Sequence, residues 1–496
     1  MRSVKARYTQ QTNPRMQGNP MIEALPPLVP DSHIAQSLAL VPHFDLVQRQ
    51  WSDQDRIQEI LALSNFMYPL GLHIELSGAI QTTIREGYVG RCPAHKTHVE
   101  ALGELYKAQK NGGIYSQRHS VRMTSECGAL LGVSGMGKTV TLKRWLSIYP
   151  PVIEHEELDI LQLPYIYIEM SSAGSSVKAL AYAIILQIDA LLPQFGYADL
   201  YLGTRQTGEM LLQTVGRLMA IHYVGMLVVD ETQNLNNSPS GAARVMTELT
   251  TLCNILNVPI LFVGTPAAMK VLGRDFRIAR RATGLALSKW ERLPLYDDAG
   301  PDSLSEWAEF TMALSKYQWV KQPLEFDTEV LRIIYGYTQG ILALTIKLFQ
   351  FAQIRAISAG ADELTLEWFD HVYEVDFKIL HEVIGALSVN DTRVLGRYSD
   401  AAPFADQVKL EQASRSAKQP SSKTKASNPS PQEPAQAVSP PPPAAAIRPK
   451  RSSGAKPPAT GYLEAYELAV KSKRPILKEF ERLGFVVNAE AVIPVD

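Results

Sequence analysis

The sequence predicts an α/β nucleotide-binding fold, a parallel sheet flanked by helices, with a small helical domain after it. Three observations carry that expectation. Four short aliphatic runs, ECGALLGV, LPYIYIEM, GMLVVDE and VPILFVGT, alternate with amphipathic stretches within residues 119–295. Continuous apolar strands separated by helices indicate a parallel sheet buried on both faces. Between the first run and the amphipathic TLKRWLSIY lies GVSGMGKT, a phosphate-loop pattern in the strand-to-helix setting that it requires. Over residues 296–400 the aliphatic runs give way to helical periodicity, as in VLRIIYGYTQGILALTIKLFQFAQIRAISAG, which reads as a helical lid domain.

The flanking elements follow from composition. Residues 1–35 are polar and proline-punctuated with one apolar island, NPMIEALPPL, which reads as a partner-docking arm or as a segment packed on the chain's own body. Residues 36–118 are mainly helical and read as an extension leading into the sheet domain. Residues 414–460 are rich in Pro, Ser and Ala and nearly devoid of large apolar side chains, which predicts a disordered basic linker. It serves as a solvated spacer or as a weak phosphate contact. Residues 461–496 return to amphipathic spacing at the end of that tether, a partner-binding tail.

Bulk properties bound the functional classes. The 496 residues suffice for two or three domains. A formal net charge of −1 supplies no long-range field for nucleic acid, so DNA contact needs a local basic patch or a surface concentrated by oligomerisation. Cys92, Cys127 and Cys253 lie far apart without CxxC spacing, which argues against a disulfide framework or zinc site and fits a reducing cytosol. MRSVKARYTQQTNPRM has no apolar core for a signal peptide, and no run reaches the roughly 18 apolar residues of a membrane helix. A cytoplasmic protein with no membrane partner is expected.

The chemistry-bearing motifs point to ATP and Mg²⁺. Gly132, Val133, Ser134, Gly135, Met136, Gly137, Lys138, Thr139 and Val140 form the expected cofactor-binding loop: the glycines turn backbone N–H groups toward phosphates, Lys138 reaches the β/γ oxygens, and the Thr139 hydroxyl ligates Mg²⁺. Met226–Glu231 supplies the complement, with Asp230 in the Mg²⁺ shell and Glu231 polarising the attacking water, so hydrolysis is predicted as well as binding. Thr265, at the end of the next strand, reads as a sensor of the γ-phosphate or as a turn residue before Pro266. Arg274, Arg277, Arg280 and Arg281 follow in GRDFRIARRATG. Arg280 or Arg281 is the candidate to reach a neighbouring subunit's site; the other reading is a solvated basic face. Lys178, at the start of a serine-capped helix, and Thr204 with Arg205 suit phosphate contact, nucleotide or DNA backbone.

Phosphate loop, acidic pair, polar strand end, arginine cluster and helical lid, in this order, resemble an AAA+ P-loop ATPase. More specifically, NPMIEALPPL, GYVGRCP, GVSGMGKT, LVVDETQNL, VGTP with GRDFRIARRATG, and GRYSD are similar to the TnsC family, AAA+ regulators of target-selecting bacterial DNA transposons, over about residues 19–400. The resemblance implies a bacterial ATPase that oligomerises as rings or filaments on double-stranded DNA, links a target-selection protein to transposase subunits, and gates insertion by ATP hydrolysis. It also implies DNA-backbone contact from the helix after the second strand, which favours Lys178 and, after it, Thr204. Related AAA+ lids contact the γ-phosphate through an arginine after the position of Gly340; here none stands there, and Lys347 comes a turn late. Two rival classes remain at this stage, a helicase or remodelling motor and a signalling adaptor in which the nucleotide is only structural.

Overall fold

The computed structural model describes residues 3–110, 127–172, 176–203, 206–237, 239–272, 287–297, 303, 305–361, 363–395, 397–398 and 400. The chain divides into two units, Met1–Ser421 and Ser422–Asp496, and all described residues belong to the first. The expected linker (414–460) and tail (461–496) lie outside the described residues.

Among the described residues eight strands form two sheets: β1 (Val4–Lys5), β2 (Cys127–Gly132), β3 (Ile153–His155), β4 (Ile160–Gln162), β5 (Tyr165–Glu169), β6 (Met226–Asp230), β7 (Ile260–Gly264) and β8 (Leu287–Trp290). The main sheet has the order β5-β6-β7-β2-β8, with every pairing parallel. All residues of β2, β6 and β7 are buried, as two covered faces demand. Side chains alternate between faces. Leu130, Val228 and Val263 join one core, and Leu131, Val229 and Phe262 the other. The second core is closed by the helices Val177–Leu191, Gly208–Ile221 and Pro239–Leu256. This strand order, with the phosphate-loop strand next to β7 and the acidic strand beyond it, is that of the AAA+ fold.

Four of the five main strands were legible as aliphatic runs; β8, the four-residue edge strand LSKW, was not. Its mixed polarity hides it. The small sheet β1-β3-β4 was also unanticipated, because β1 has only two residues and gains its structure by pairing with Ile153 and Glu154.

The helices Glu306–Ser315, Thr328–Thr338, Leu342–Ser358, Leu366–Val375 and His381–Ser388 form the helical domain. The residues before the sheet are more than a lead-in. Gln350 Nε2 donates to Ile60 O at 2.9 Å, Trp319 Nε1 to Gln48 Oε1 at 3.0 Å, and Arg56 Nη1 to Trp319 O at 3.0 Å. Trp319 and Trp307 are fully buried, and one hydrophobic core runs from the N-terminal segment through this face of the sheet into the helical domain.

That core takes in NPMIEALPPL, in line with its reading as a segment packed on the chain's own body. Met21 and Ile22 are 0% exposed and Leu25 2%. Asn19 caps the short helix by accepting from Met21 N–H at 3.1 Å, while its amide donates to Tyr88 O at 2.9 Å. Gln162 Nε2 donates to Met21 O at 2.7 Å. The island is apolar because it is interior. Among the described residues no single helix is long and apolar enough to cross a membrane.

Candidate nucleotide site

Parallel pairing places the carboxyl ends of β2, β6 and β7 side by side, where ligands of open α/β sheets bind. The loop after β2 turns into the helix Lys138–Leu146 through Gly137, which caps it at φ 86. Glycine reaches that left-handed geometry without strain and leaves the first-turn N–H groups aimed outward, an anion-binding arrangement. Gly135, at φ 84, also meets the lid: Ala343 N–H donates to Gly135 O at 3.0 Å, and a Cβ on Gly135 would lie 2.9 Å from Ile341 Cγ2. The lid is therefore stapled to the phosphate loop.

Five of the sequence-expected residues converge here. Lys138 is 8% exposed; its Nζ donates to Gly132 O at 2.7 Å and Val133 O at 2.9 Å. Burial pulls its pKa down to about 8 against the opposing pull of Asp230, Glu231 and Asp400. The Thr139 hydroxyl donates to Asp230 Oδ2 at 2.9 Å. Asp230, 2% exposed at the end of β6, also accepts from Glu231 N–H at 2.7 Å and from the Tyr167 hydroxyl. Glu231 adopts φ 55, a strained value for a residue with a side chain, of the kind that gathers at functional sites. Burial and then the neighbouring Asp230 charge raise its pKa. Thr265, just beyond β7, is 7% exposed, and Gln233 bridges it to Glu231: Thr265 N–H donates to Gln233 Oε1 at 3.0 Å, and Gln233 Nε2 to Glu231 Oε2 at 2.5 Å.

The donor set fits Mg²⁺, which is held by one or two carboxylates, a hydroxyl, phosphate oxygens and waters. Among the described residues no group of three or more His, Cys, Asp or Glu is placed for a metal, so a dedicated protein cage for another ion is not offered.

Tyr167, on β5, was missed by sequence reasoning because nothing near it in the chain marks it. Burial and its hydrogen bond to Asp230 push the phenol pKa up, so it remains a donor that fixes the carboxylate. Tyr167→Phe is expected to raise the Mg²⁺ concentration needed for half-maximal turnover by about 10–100-fold, the worth of one hydrogen bond to a charged group. A Mg²⁺ titration checks it, and an unchanged midpoint would contradict the role.

These groups line a cavity of about 530 Å³ whose far wall is apolar, formed by Phe66, Met67 and Tyr68 from the N-terminal extension and by Phe310, Ile346 and Phe351 from the lid. Ligand sites pair such a wall with a few polar groups. His73 also lines it, with Nδ1 accepting from Leu70 N–H at 3.0 Å and its ring edge-on to Trp290 at 5.2 Å. Burial lowers the His73 pKa to about 4, so it is a neutral imidazole at pH 7. Lys347 faces the cavity from the lid as well. The lining by residues 61–73 was not foreseen, since the extension carries no motif for it.

The remaining expectations divide. Ser134 and Val140 line the cavity with Gly135, Gly137, Lys138 and Thr139, whereas Met136 and Val133 are buried beneath the loop in the hydrophobic core. Ser176 caps the helix Val177–Leu191 by accepting from Ala179 N–H at 3.0 Å, and Lys178 stands over the Tyr182 ring at 5.6 Å, away from the nucleotide cavity. Thr204, Arg205, Arg280 and Arg281, with Arg274 and Arg277, lie outside the described residues.

No curated protein matches the chain. Among solved structures, the chain is similar to the Aeropyrum pernix ORC2 protein in ADPNP–ADP complexes at 14% identity and TM-score 0.32, over 67% of this chain and 80% of that one. It is similar to Cdc6p from Pyrobaculum aerophilum at 15% identity and TM-score 0.32, over 55% and 66%. It is similar to the Thermotoga maritima RuvB Holliday junction branch migration motor at 14% identity and TM-score 0.29, over 56% and 68%. These likenesses are too slight to add to the strand order and loop geometry above. Residues 112–292 match the bacterial TniB protein family. That span holds the loop, the acidic pair and β7, and over it the chain is similar to the TniB family, transposition-related AAA+ ATPases related to the TnsC-type regulators.

Proposed function

We propose that this chain is an ATP-driven regulator of DNA transposition that assembles on duplex DNA and uses hydrolysis to end each assembly. The observation that supports it most is the meeting of Lys138, Thr139, Asp230, Glu231 and Thr265 at one end of a sheet whose sequence matches the TniB family. In this reading Lys138 holds the β- and γ-phosphates, Thr139 and Asp230 offer the oxygens for Mg²⁺, Glu231 takes a proton from the attacking water, and Thr265 registers the terminal phosphate. Bound Mg²⁺ supplies charge neutralisation on the β/γ oxygens. Gln233 ties the Thr265 amide to the Glu231 carboxylate, so the sensor and the base are positioned together.

The assembly step rests on other residues. Arg280 or Arg281 completes the site of a neighbouring copy, and Lys178, with Thr204 and Arg205, holds the DNA backbone, giving weak sequence preference. A chain of net charge −1 grips DNA when each copy adds one or two cations to a shared inner surface. The tail after residue 414 recruits transposase subunits, and a separate target-selection protein sets where the assembly forms. Electron microscopy of the full chain with duplex DNA tests this: rings or filaments on DNA with a non-hydrolysable ATP analogue are expected, and isolated copies off the DNA would sink it.

A further inference from the structure

Asp400 sits 135 residues from Thr265 in sequence yet reaches into the nucleotide site. Its Oδ1 accepts from the Thr265 hydroxyl at 2.7 Å, its carbonyl accepts from Ser134 N–H of the phosphate loop at 3.1 Å, and it lines the same cavity as Lys138 and Glu231. Each of those two donors has a single hydrogen to give. Both border the space beside Lys138 and Glu231 where a terminal phosphate is attacked. A phosphate oxygen and Asp400 cannot share the donors, and a carboxylate beside a terminal phosphate adds like-charge repulsion to the conflict.

We propose that Asp400 is an intrachain competitor of the γ-phosphate, a specificity-determining residue that lets the site accept a diphosphate while requiring a triphosphate to displace it. This rests on the ATP-site reading above and deepens it. Lys138 feels Asp400 as one of three carboxylates that stabilise its charge, and the same Asp400 charge helps raise the pKa of Glu231, so the carboxylate stands in for an anion at the loop.

The hold on Asp400 is suited to release. Just before it, Arg397 Nη1 pairs with Glu382 Oε1 at 3.1 Å and Tyr398 OH donates to Glu382 Oε2 at 2.9 Å, both exposed contacts to the helix His381–Ser388. Exposed pairs of this kind contribute little.

The test is binding of fluorescent ADP and fluorescent ATPγS to the full-length wild type and to Asp400→Ala, with Asp400→Asn separating charge from hydrogen bonding. Asp400→Ala is expected to tighten ATPγS about tenfold or more while ADP changes less than about twofold, with Asp400→Asn in between. Weaker ATPγS binding, an equal change for both nucleotides, or no change would overturn the proposal alone. A wild type that binds neither nucleotide would overturn it together with the ATP-site reading.

Discussion

Glu231→Gln lowers kcat for ATP hydrolysis by about 10²–10³-fold and leaves nucleotide affinity within about twofold, the expected signature of losing a general base without losing a binding group. The substitution is isosteric, and the new amide oxygen still accepts from Gln233 Nε2, the donor that now lies 2.5 Å from Glu231 Oε2. What disappears is the capacity to take a proton. Burial and the adjacent Asp230 already raise the Glu231 pKa toward the range where a carboxylate accepts one efficiently. Steady-state turnover beside equilibrium nucleotide binding checks the split; equal losses in both would assign Glu231 to structure.

Lys138→Ala weakens ATP binding by about 100-fold, because a buried ammonium aimed into the loop makes charge-assisted hydrogen bonds that water does not replace. The same residue sets a pH dependence with a defined sign. With its pKa at about 8 in the free site, Lys138 is mostly charged at pH 7 and mostly neutral at pH 9. Bound phosphate favours the charged form, so wild-type ATP affinity falls as pH rises through 8, by up to about tenfold per pH unit. Titration calorimetry at pH 7, 8 and 9 reads both effects. Affinity that is flat with pH in the wild type would show that the lysine carries its proton throughout.

How much of this was legible follows from how local each signal is. The phosphate loop and Asp230–Glu231 are contiguous because a backbone turn and a strand end must present them, so a few adjacent letters suffice. The four aliphatic runs were legible because a strand buried on both faces tolerates little else. Tyr167 and His73 were not, since each is placed by a partner far along the chain, Asp230 and Trp290 respectively; Asp400 stood out in GRYSD, but its partner Thr265, 135 residues away, did not show there. NPMIEALPPL was legible in part. Its apolar letters announce burial but not against what, and Tyr88 and Gln162, which hold it, lie 69 and 141 residues away.

The measurement that bears most directly on the central claim, that the phosphate count at this site governs assembly on DNA, is co-sedimentation of the full chain with duplex DNA in ATPγS and in ADP. The account predicts that the protein pellets with DNA in ATPγS and stays in the supernatant in ADP. Equal pelleting in both nucleotides, or none in either, would contradict it.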